Sequence, residues 1–284
     1  MTLTLRAGDW VAELRPDTGG ALAALRLGGT DVLRTMPGSA IDPLESACFP
    51  LVPWCNRIRG GRFSWSGRMV QLPENFPPEP HSLHGLGWHS VWQVTAEAGF
   101  KCTLGHSHSG TDAWPWSYEA EQRIRLGSQG CAITLDVTNR SETPMPCGLG
   151  LHPYVRRRPE THVRFSSTGM LLADAGLIPN GEIAASPRFA DSNMGAALPS
   201  ETVDHCFAGW SGRALIEDDL GSIAMTARGA PFLHLYAPAD GSALCLEPVS
   251  HGPDALNRAP AEMTVLAPGC TASLTLRISA TLAG

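Results

Sequence analysis

Five short segments of the chain combine ionisable or hydrogen-bonding side chains with prolines, glycines and aromatic residues. They are residues 49–58 (FPLVPWCNRI), 81–88 (HSLHGLGW), 148–154 (GLGLHPY), 203–207 (VDHCF) and 244–248 (LCLEP), the last followed by 253–257 (PDALN). Together they supply carboxylates, imidazoles and a guanidinium, the groups that transfer protons and hold polar ligands.

Glu247 is one of the ionisable residues that lie at the end of an apolar run. Residues 243–246 (ALCL) predict a buried strand that Pro248 should end, leaving Glu247 at the rim of a sheet. A carboxylate in that position would be partly removed from water, which raises its basicity. His152 follows the apolar run 147–151 in the same way. Either side chain could instead be structural, Glu247 as a strand cap and His152 as a hydrogen-bonded core histidine.

The sequence gives less support to a metal site or to a catalytic nucleophile. His106 and His108 form half of a metal site, but only Asp112 follows nearby, and the surrounding Ser, Gly and Thr residues favour a loop. The chain contains no C-x-x-C pair and no G-x-S-x-G nucleophile elbow. We therefore expect no metal centre.

The five segments, taken in order, resemble the motifs of the aldose 1-epimerases, the galactose-mutarotase-like family. The matching patterns are N-R at 56–57, L-H-G at 83–85, H-P-Y at 152–154, D-x-x-F at 204–207 and L-E-P…P-D-A-x-N at 246–257. Each pattern alone is weak, whereas the ordered set is specific, and the resemblance runs from about residue 40 to 260.

The resemblance implies an all-β fold, a single-domain antiparallel β-supersandwich over residues 1–284, with an open sugar-binding cleft across one sheet. It also implies interconversion of the α and β anomers of a free aldose, with no metal or organic cofactor. In that reaction an acid protonates the ring oxygen while a base removes the proton of the anomeric hydroxyl. The ring opens, the C1–C2 bond turns, and the ring closes on the other face.

Carried over to this sequence, the resemblance makes Glu247 the general base and His152 the general acid. His84 would hydrogen-bond near the ring oxygen, and Arg57 would bind a ring hydroxyl. Asp204 would accept hydrogen bonds from hydroxyls on the far side of the ring. Arg57 could instead form a surface ion pair, and Asp204 could be a turn residue.

Three further candidates for substrate contact are less specific. Asn56 could bind the sugar or shape its own loop through an Asx turn. Trp88 and Tyr154 lie beside the motifs and could stack on sugar C–H faces, although most aromatic residues of such a sandwich belong to the core.

Residues 155–158 (VRRR) depart from the family, which often has Phe at position 155. We favour a solvated strand end for the three arginines. Alternatively, they and Arg59 or Arg62 could bind an anionic C6 substituent of a phosphorylated or sulfonated sugar. A non-catalytic sugar-binding protein of the same fold is another alternative, although it would not need both Glu247 and His152. His251 is assigned no role.

Strands must position these side chains, because 30 Gly and 23 Pro among 284 residues disfavour helices. Apolar residues alternate with polar ones at 131–138 and 273–278, which predicts half-buried strands. Hairpins are predicted across the turns at 127–130 and 66–67. Long turn-rich segments at 36–61, 73–90 and 174–204 carry many of the candidate residues.

The net charge of −6 disfavours nucleic acid and anionic membrane surfaces as partners. Because the sequence has no 18-residue apolar stretch and no secretory signal, we expect a cytoplasmic protein. The partner that the family resemblance implies is a small-molecule monosaccharide. The eight cysteines are expected to be reduced core residues. The sequence leaves open whether the protein is a monomer or a homodimer.

Overall fold

The computed structural model of the protein describes residues 1–184 and 196–283. In chain order its strands are β1 (Leu3–Ala7), β2 (Trp10–Arg15), β3 (Ala21–Leu27), β4 (Thr30–Leu33), β5 (Cys48–Leu51), β6 (Arg57–Ile58), β7 (Arg62–Trp65), β8 (Arg68–Gln71), β9 (Ser82–Leu83), β10 (Gln93–Ala98), β11 (Lys101–Thr111), β12 (Trp114–Gly127), β13 (Gly130–Asn139), β14 (Met145–Cys147), β15 (Gly150–Pro153), β16 (His162–Phe165), β17 (Gly169–Ala173), β18 (Pro179–Ala184), β19 (Ala196–Ala197), β20 (Val203–Ala208), β21 (Arg213–Asp218), β22 (Gly221–Arg228), β23 (Phe232–Ala237), β24 (Cys245–Val249), β25 (Thr264–Leu266) and β26 (Thr271–Leu282). A short helix, α1 (Ala255–Arg258), and 3₁₀ turns at Pro43–Glu45, Arg59–Gly61, Gly87–His89 and Pro260–Glu262 are also present.

Most strands belong to two large antiparallel sheets. The eleven-stranded sheet has the order β1-β2-β3-β5-β15-β24-β23-β20-β17-β18, with β4 paired to β3. The nine-stranded sheet has the order β10-β11-β12-β13-β26-β22-β21-β16-β19. Three two-stranded pairs, β14–β25, β6–β9 and β7–β8, flank them. The predicted all-β antiparallel sandwich is confirmed.

Alternating burial along the strands identifies the face that each sheet turns to the core. In β12, buried residues from Trp114 to Leu126 alternate with exposed or half-buried ones, as a strand with one solvated face requires. Leu233, Leu235 and Leu246 of the eleven-stranded sheet belong to the same buried cluster as the inward residues of the nine-stranded sheet. The opposite face of β23 and β24 is therefore free to carry polar groups.

The predicted hairpins are confirmed as β12–β13 and β7–β8. The long turn-rich segments hold more structure than expected, because β5 lies within 36–61 and β18 within 174–204. Residues 185–195 of the latter segment lie outside the described residues. The loop expected around His106 and His108 is wrong, since both belong to the long strand β11.

Seven of the eight cysteines are buried, and all eight are free thiols. Cys270 contradicts the expectation of a core position, because it is exposed just before β26. Within the described residues, no helix is long and apolar enough to cross a membrane.

The three arginines at 156–158 are not a solvated strand end. Arg156 is buried and forms two hydrogen bonds of 2.8 and 2.9 Å with the carboxylate of Asp218, whose side chain is also buried. Arg157 donates to two backbone carbonyls, and Arg158 pairs with Asp219 at the surface. Arg156 and Arg158 therefore tie the segment after β15 to the end of β21, and Arg157 ties it to the connection between β23 and β24.

The buried pair predicts a large stability difference from its exposed neighbour. Asp218→Asn should lower the free energy of unfolding by about 3–5 kcal/mol, because it leaves the guanidinium of Arg156 buried without a counter-charge. The matched control is Asp219→Asn, which removes the partner of exposed Arg158 and should cost much less. Urea unfolding of both variants measures the difference, and equal losses would contradict a structural role for the Arg156 pair.

Candidate active site

Strand register assembles the candidate residues on the outer face of the eleven-stranded sheet. In β20, β23 and β24, Cys206 lies opposite His234, and His234 lies opposite Glu247. Directly opposed residues on one face lie about 5 Å apart. Residues distant in sequence therefore become lateral neighbours.

The same row continues across β15 and β5. The isolated bridge between Tyr154 and Cys245 sets a register that brings His152 level with Glu247, and His152 in turn lies opposite Phe49. We call these side chains the site row; its members are Cys206, His234, Glu247, His152 and Phe49.

Glu247 and His152 form the central contact of the site row. The Nε2 atom of His152 lies 3.2 Å from Oε1 of Glu247, and the two side chains are only 7% and 3% exposed. Burial raises the pKa of Glu247 to about 7 and lowers the pKa of His152 to about 3. The two groups can therefore share one proton near neutral pH.

The expected position of Glu247 at a strand rim is wrong. Pro248 does not end the strand; β24 continues to Val249, and Glu247 lies in its middle. The carboxylate is consequently almost fully buried rather than partly so, and its Oε2 atom has no hydrogen-bond partner. An unpartnered buried carboxylate oxygen is costly in free energy, which favours a functional role for it.

His84 lies over the site row from the loop before the turn at Gly87–His89. Its Nδ1 atom accepts a hydrogen bond of 3.2 Å from the backbone amide of Asn56, whose carbonyl accepts the amide of His84. Both residues adopt positive φ angles, 58° for His84 and 54° for Asn56. Gly85 cannot be replaced, because a Cβ atom there would lie 1.9 Å from the carbonyl oxygen of Val52.

The tautomer of His84 follows from this contact. Burial lowers the pKa of His84 well below its usual value, so the ring is neutral. Because Nδ1 accepts, Nε2 carries the hydrogen and can donate to a bound ligand. Asn56 uses its side-chain oxygen to accept the amide of Arg57, which is a loop-shaping role.

Arg57 is held at the edge of the site by Glu79. Its Nε atom donates to Oε2 of Glu79 at 3.0 Å, and both side chains are mostly buried. The guanidinium lies close enough for its charge to act on Asp204 and Glu247. The surface ion pair considered from sequence is thus a partly buried pair that faces the site.

Asp204 is not a turn residue but belongs to β20, where its Oδ1 atom lies 2.6 Å from Nε2 of His234. Burial favours a higher pKa for Asp204, but the hydrogen bond from His234 and nearby positive charges lower it. Asp204 is therefore ionised and mostly buried at the site.

The aromatic candidates mainly support the site from behind. Trp88 is fully buried and stacks on Phe49 at a centroid distance of 5.6 Å, while Phe49 stacks on His152 at 4.5 Å. One face of Tyr154 is covered by the guanidinium of Arg34, 3.4 Å from the ring centroid. These contacts favour packing roles over direct sugar stacking for Trp88 and Tyr154.

The site also has a spacing that would suit a cation. One ligand atom from each of His84, His152 and Glu247 lies within 4.8 Å of the others. His84 fits a metal poorly, because the Nδ1 lone pair is used by the amide of Asn56 and Nε2 carries a hydrogen. The trio is better suited to hydrogen bonding and proton transfer.

His106 and His108 project from β11, far along the nine-stranded sheet. The Nε2 atom of His106 lies 3.2 Å from the hydroxyl of Tyr118, and that of His108 lies 2.8 Å from the carbonyl of Trp114. Both rings therefore have structural partners.

The sequence and fold of the chain were compared with those of known proteins. The model of the family described as aldose 1-epimerase matches residues 1–279. The uncharacterized protein YphB of Escherichia coli strain K12 is 33% identical over 276 residues, which cover 92% of this chain and 93% of that protein.

The chain belongs to the aldose 1-epimerase family.

Solved structures agree with this assignment. A crystal structure from Escherichia coli K12, provisionally described as an aldose 1-epimerase, has a TM-score of 0.91 and 30% identity, covering 100% of this chain and 99% of that one. A galactose mutarotase-like protein from Clostridium acetobutylicum has a TM-score of 0.86 at 20% identity, covering 99% and 95%. Membership of the aldose 1-epimerase family points to an isomerase-type enzyme.

In this member of the aldose 1-epimerase family, four supporting residues escaped the sequence analysis. Besides Glu79 and His234, they are His251, which accepts the amide of Cys55 at 3.1 Å, and Asp254, which accepts the amide of Arg59 at 2.9 Å. Asp254 lies in the P-D-A-x-N motif, which was a usable signal. His251 was quoted but given no role, and its contact shows that it anchors the loop before Asn56.

The raised pKa of Glu247 predicts a pH-dependent stability difference. A folded-state pKa of about 7 against an unfolded value near 4.5 means that the folded protein loses stability as the pH rises through this interval. Glu247→Gln removes this titration. The free energy of unfolding of the variant, taken relative to that of wild type, should therefore rise by about 1–3 kcal/mol between pH 5 and pH 8. Urea unfolding at both pH values measures the gain, and a constant difference would show that the pKa of Glu247 is not raised in the folded protein.

Proposed function

We propose that the protein is an aldose 1-epimerase that interconverts the α and β anomers of a free, neutral aldose by acid–base catalysis. The observation that carries this proposal is the 3.2 Å contact between His152 and Glu247, two buried groups of opposite proton-transfer character. Family membership supports the reaction class, and the surrounding hydrogen-bonding groups support a polyhydroxy substrate.

The pair needs one shared proton to complete the reaction. The shared proton rests mainly on Glu247, whose pKa is the higher of the two, and the reactive form is the tautomer in which His152 carries that proton and Glu247 is ionised. Glu247 takes the hydrogen of the O1 hydroxyl while His152 donates to the ring oxygen, and the C1–O5 bond breaks to give the open-chain aldehyde. After the C1–C2 bond turns, His152 recovers its proton from O5, and Glu247 returns the other to O1. No proton is gained or lost overall.

The surrounding residues can hold the sugar while the proton moves. The Nε2–H group of His84 faces the site and can donate to the ring oxygen or its neighbour. Arg57 can donate to one hydroxyl and Asp204 can accept from others. Each positioned acid or base contributes about 10²–10⁴-fold to such a rate, and the precise placement of the groups contributes more.

An anionic sugar is not favoured by the described contacts. The arginines at 156–158 are bound to Asp218, Asp219 and backbone carbonyls, and Arg59 lies beside Asp174 and Asp254. A neutral aldose therefore fits the site better. A sugar-binding protein without catalysis would retain ligand affinity but show no rate enhancement, which the following experiment distinguishes.

Polarimetry on freshly dissolved α-galactose, α-glucose and L-arabinose should show mutarotation faster than the buffer rate. Glu247→Gln and His152→Ala should each lower kcat by about 10²-fold or more. Glu217→Gln and His162→Gln, on the nine-stranded sheet, are matched controls and should leave kcat unchanged. If aldoses bind but mutarotate only at the buffer rate, the protein is a sugar-binding protein and not an enzyme. Full activity of both site variants would refute the roles assigned to Glu247 and His152.

The shared proton also predicts the pH profile. Above pH 7 the pair loses its last proton, because burial raises the pKa of Glu247 to about 7, and His152 then has none to donate. The value of kcat/KM should therefore fall about tenfold per pH unit on the alkaline side. A profile that still rises between pH 7 and pH 9 would contradict the shared-proton mechanism.

Arg57 should depend on Glu79 for its position. Glu79→Gln should raise KM about three- to tenfold with a smaller effect on kcat, because the weaker partner lets the guanidinium move away from the sugar. Glu74→Gln, exposed in the same loop, is the control. Steady-state kinetics on the best aldose separates the two parameters, and an unchanged KM would show that Glu79 has no role in sugar binding.

A further inference from the structure

His234 occupies the position in the site row between Cys206 and Glu247, and its side chain is 7% exposed. The shared-proton mechanism does not use it. A buried titratable group in contact with a proposed ligand-binding carboxylate and level with the proposed base requires an explanation.

We propose that His234 is a positioning residue that remains an imidazolium at neutral pH and holds Asp204 in place. Its charge also sets the pH above which Glu247 and His152 no longer share a proton. The catalytic part of this proposal rests on the proposed function. The charge of His234 and its effect on Glu247 are properties of the chain alone.

The first support is the short contact with Asp204. The carboxylate oxygen can only accept, so the Nε2 atom of His234 must carry a hydrogen, and a 2.6 Å separation is typical of a charge-assisted bond. The Cys206 thiol lies opposite the ring on β20 and favours its charged form, although the Nδ1 atom of His234 has no hydrogen-bond partner. The imidazole is therefore held through its Nε2 atom, by Asp204 of β20.

The second support is the balance of charge around the ring. The neighbouring strands contribute two carboxylates, Asp204 from β20 and Glu247 from β24. The facing histidines, His84 and His152, have their pKa values lowered by burial and are neutral.

One guanidinium, that of Arg57, also acts on these carboxylates, but it is already paired with Glu79. His205 follows Asp204 on β20, and its lowered pKa, caused by burial, keeps it neutral. An uncharged His234 would thus leave the site with surplus negative charge.

The third support is the combined effect on the ring itself. Burial disfavours a charged imidazole, but the hydrogen bond to Asp204, the nearby Cys206 thiol and the charge of Glu247 outweigh it, so that the pKa of His234 is held well above its usual value. The charge in turn opposes the effect of burial on Glu247. Without the imidazolium, the pKa of Glu247 would rise further, and Asp204 would lose its anchor.

Ring-nitrogen chemical shifts of ¹⁵N-histidine-labelled protein test the charge directly. At pH 7.5 His234 should show both nitrogens protonated, with its resonance identified by its loss in His234→Gln. Asp204→Asn should make the ring neutral at the same pH. If the Gln variant does not fold, backbone correlation of the wild type provides the assignment. A neutral His234 in wild type at pH 7.5 would overturn the proposal.

A carboxyl titration tests the effect on Glu247 without any activity. In ¹³C-glutamate-labelled protein, His234→Gln should raise the pKa of Glu247 by about one pH unit or more, as expected for loss of a charge about 5 Å away. His162→Gln is the control and should leave it unchanged. An unchanged Glu247 titration in the His234 variant would also overturn the proposal.

Kinetics then connect the charge to the reaction. In His234→Gln, the pH at which kcat/KM begins to fall should rise by the same amount as the pKa of Glu247. KM should also rise, because Asp204 is less firmly held. A uniform loss of rate with an unmoved limb would assign His234 a purely structural role. If wild type shows only the buffer rate with every aldose, the proposed function fails, whereas the two NMR measurements still decide the charge of His234.

Discussion

The antiparallel register of β20, β23, β24, β15 and β5 is the constraint on which the site depends. It places Cys206, His234, Glu247, His152 and Phe49 side by side on one face, while the intervening leucines of β23 and β24 enter the core between the sheets. A slip of one residue in any of these strands would turn its member of the row into that core and bring an inward-facing residue, such as Leu233 or Leu246, to the outer face. The hydrophobic alternation that stabilises the sandwich is thus also what fixes the proposed acid next to the proposed base.

Buried polar atoms without hydrogen-bond partners make the site costly in folding free energy. Glu247 has an oxygen without a hydrogen-bond partner, and His152 has an unpartnered Nδ1 atom. Such groups destabilise a folded protein unless the surrounding structure fixes them firmly. Here the stacking of Phe49 on His152, with Trp88 beneath, restrains the imidazole from the side away from Glu247. Phe49 and Trp88 belong to a buried cluster on the outer face, separate from the core between the two sheets, and this cluster supplies the rigidity that the site needs.

The strands could be predicted from sequence because alternation is a local signal, and the motif residues could be predicted because their order matches the family. What failed was decided by distant partners. Pro248 suggested a strand end, but β24 contacts β15 only intermittently near it, at Gly150–Val249 and Tyr154–Cys245, and an interrupted ladder tolerates a residue without an N–H. His234 lies in an apolar strand and looks like a core histidine until Asp204, thirty residues earlier, is placed beside it.

The charge pairing of the site bears on the kind of ligand that can enter it. Arg57 is matched by Glu79, Asp204 by His234, and Glu247 by the proton it shares with His152. A neutral sugar can exchange hydrogen bonds with each pair and leave every charge with its partner. An anionic substituent would need a further cation, or would have to compete with Glu79 or Asp204 for theirs, at the cost of an unpaired buried carboxylate. In the proposed reaction His152 gives one proton to the ring oxygen while Glu247 takes another from the O1 hydroxyl, and both are later returned, so a site that is already balanced in charge remains balanced throughout.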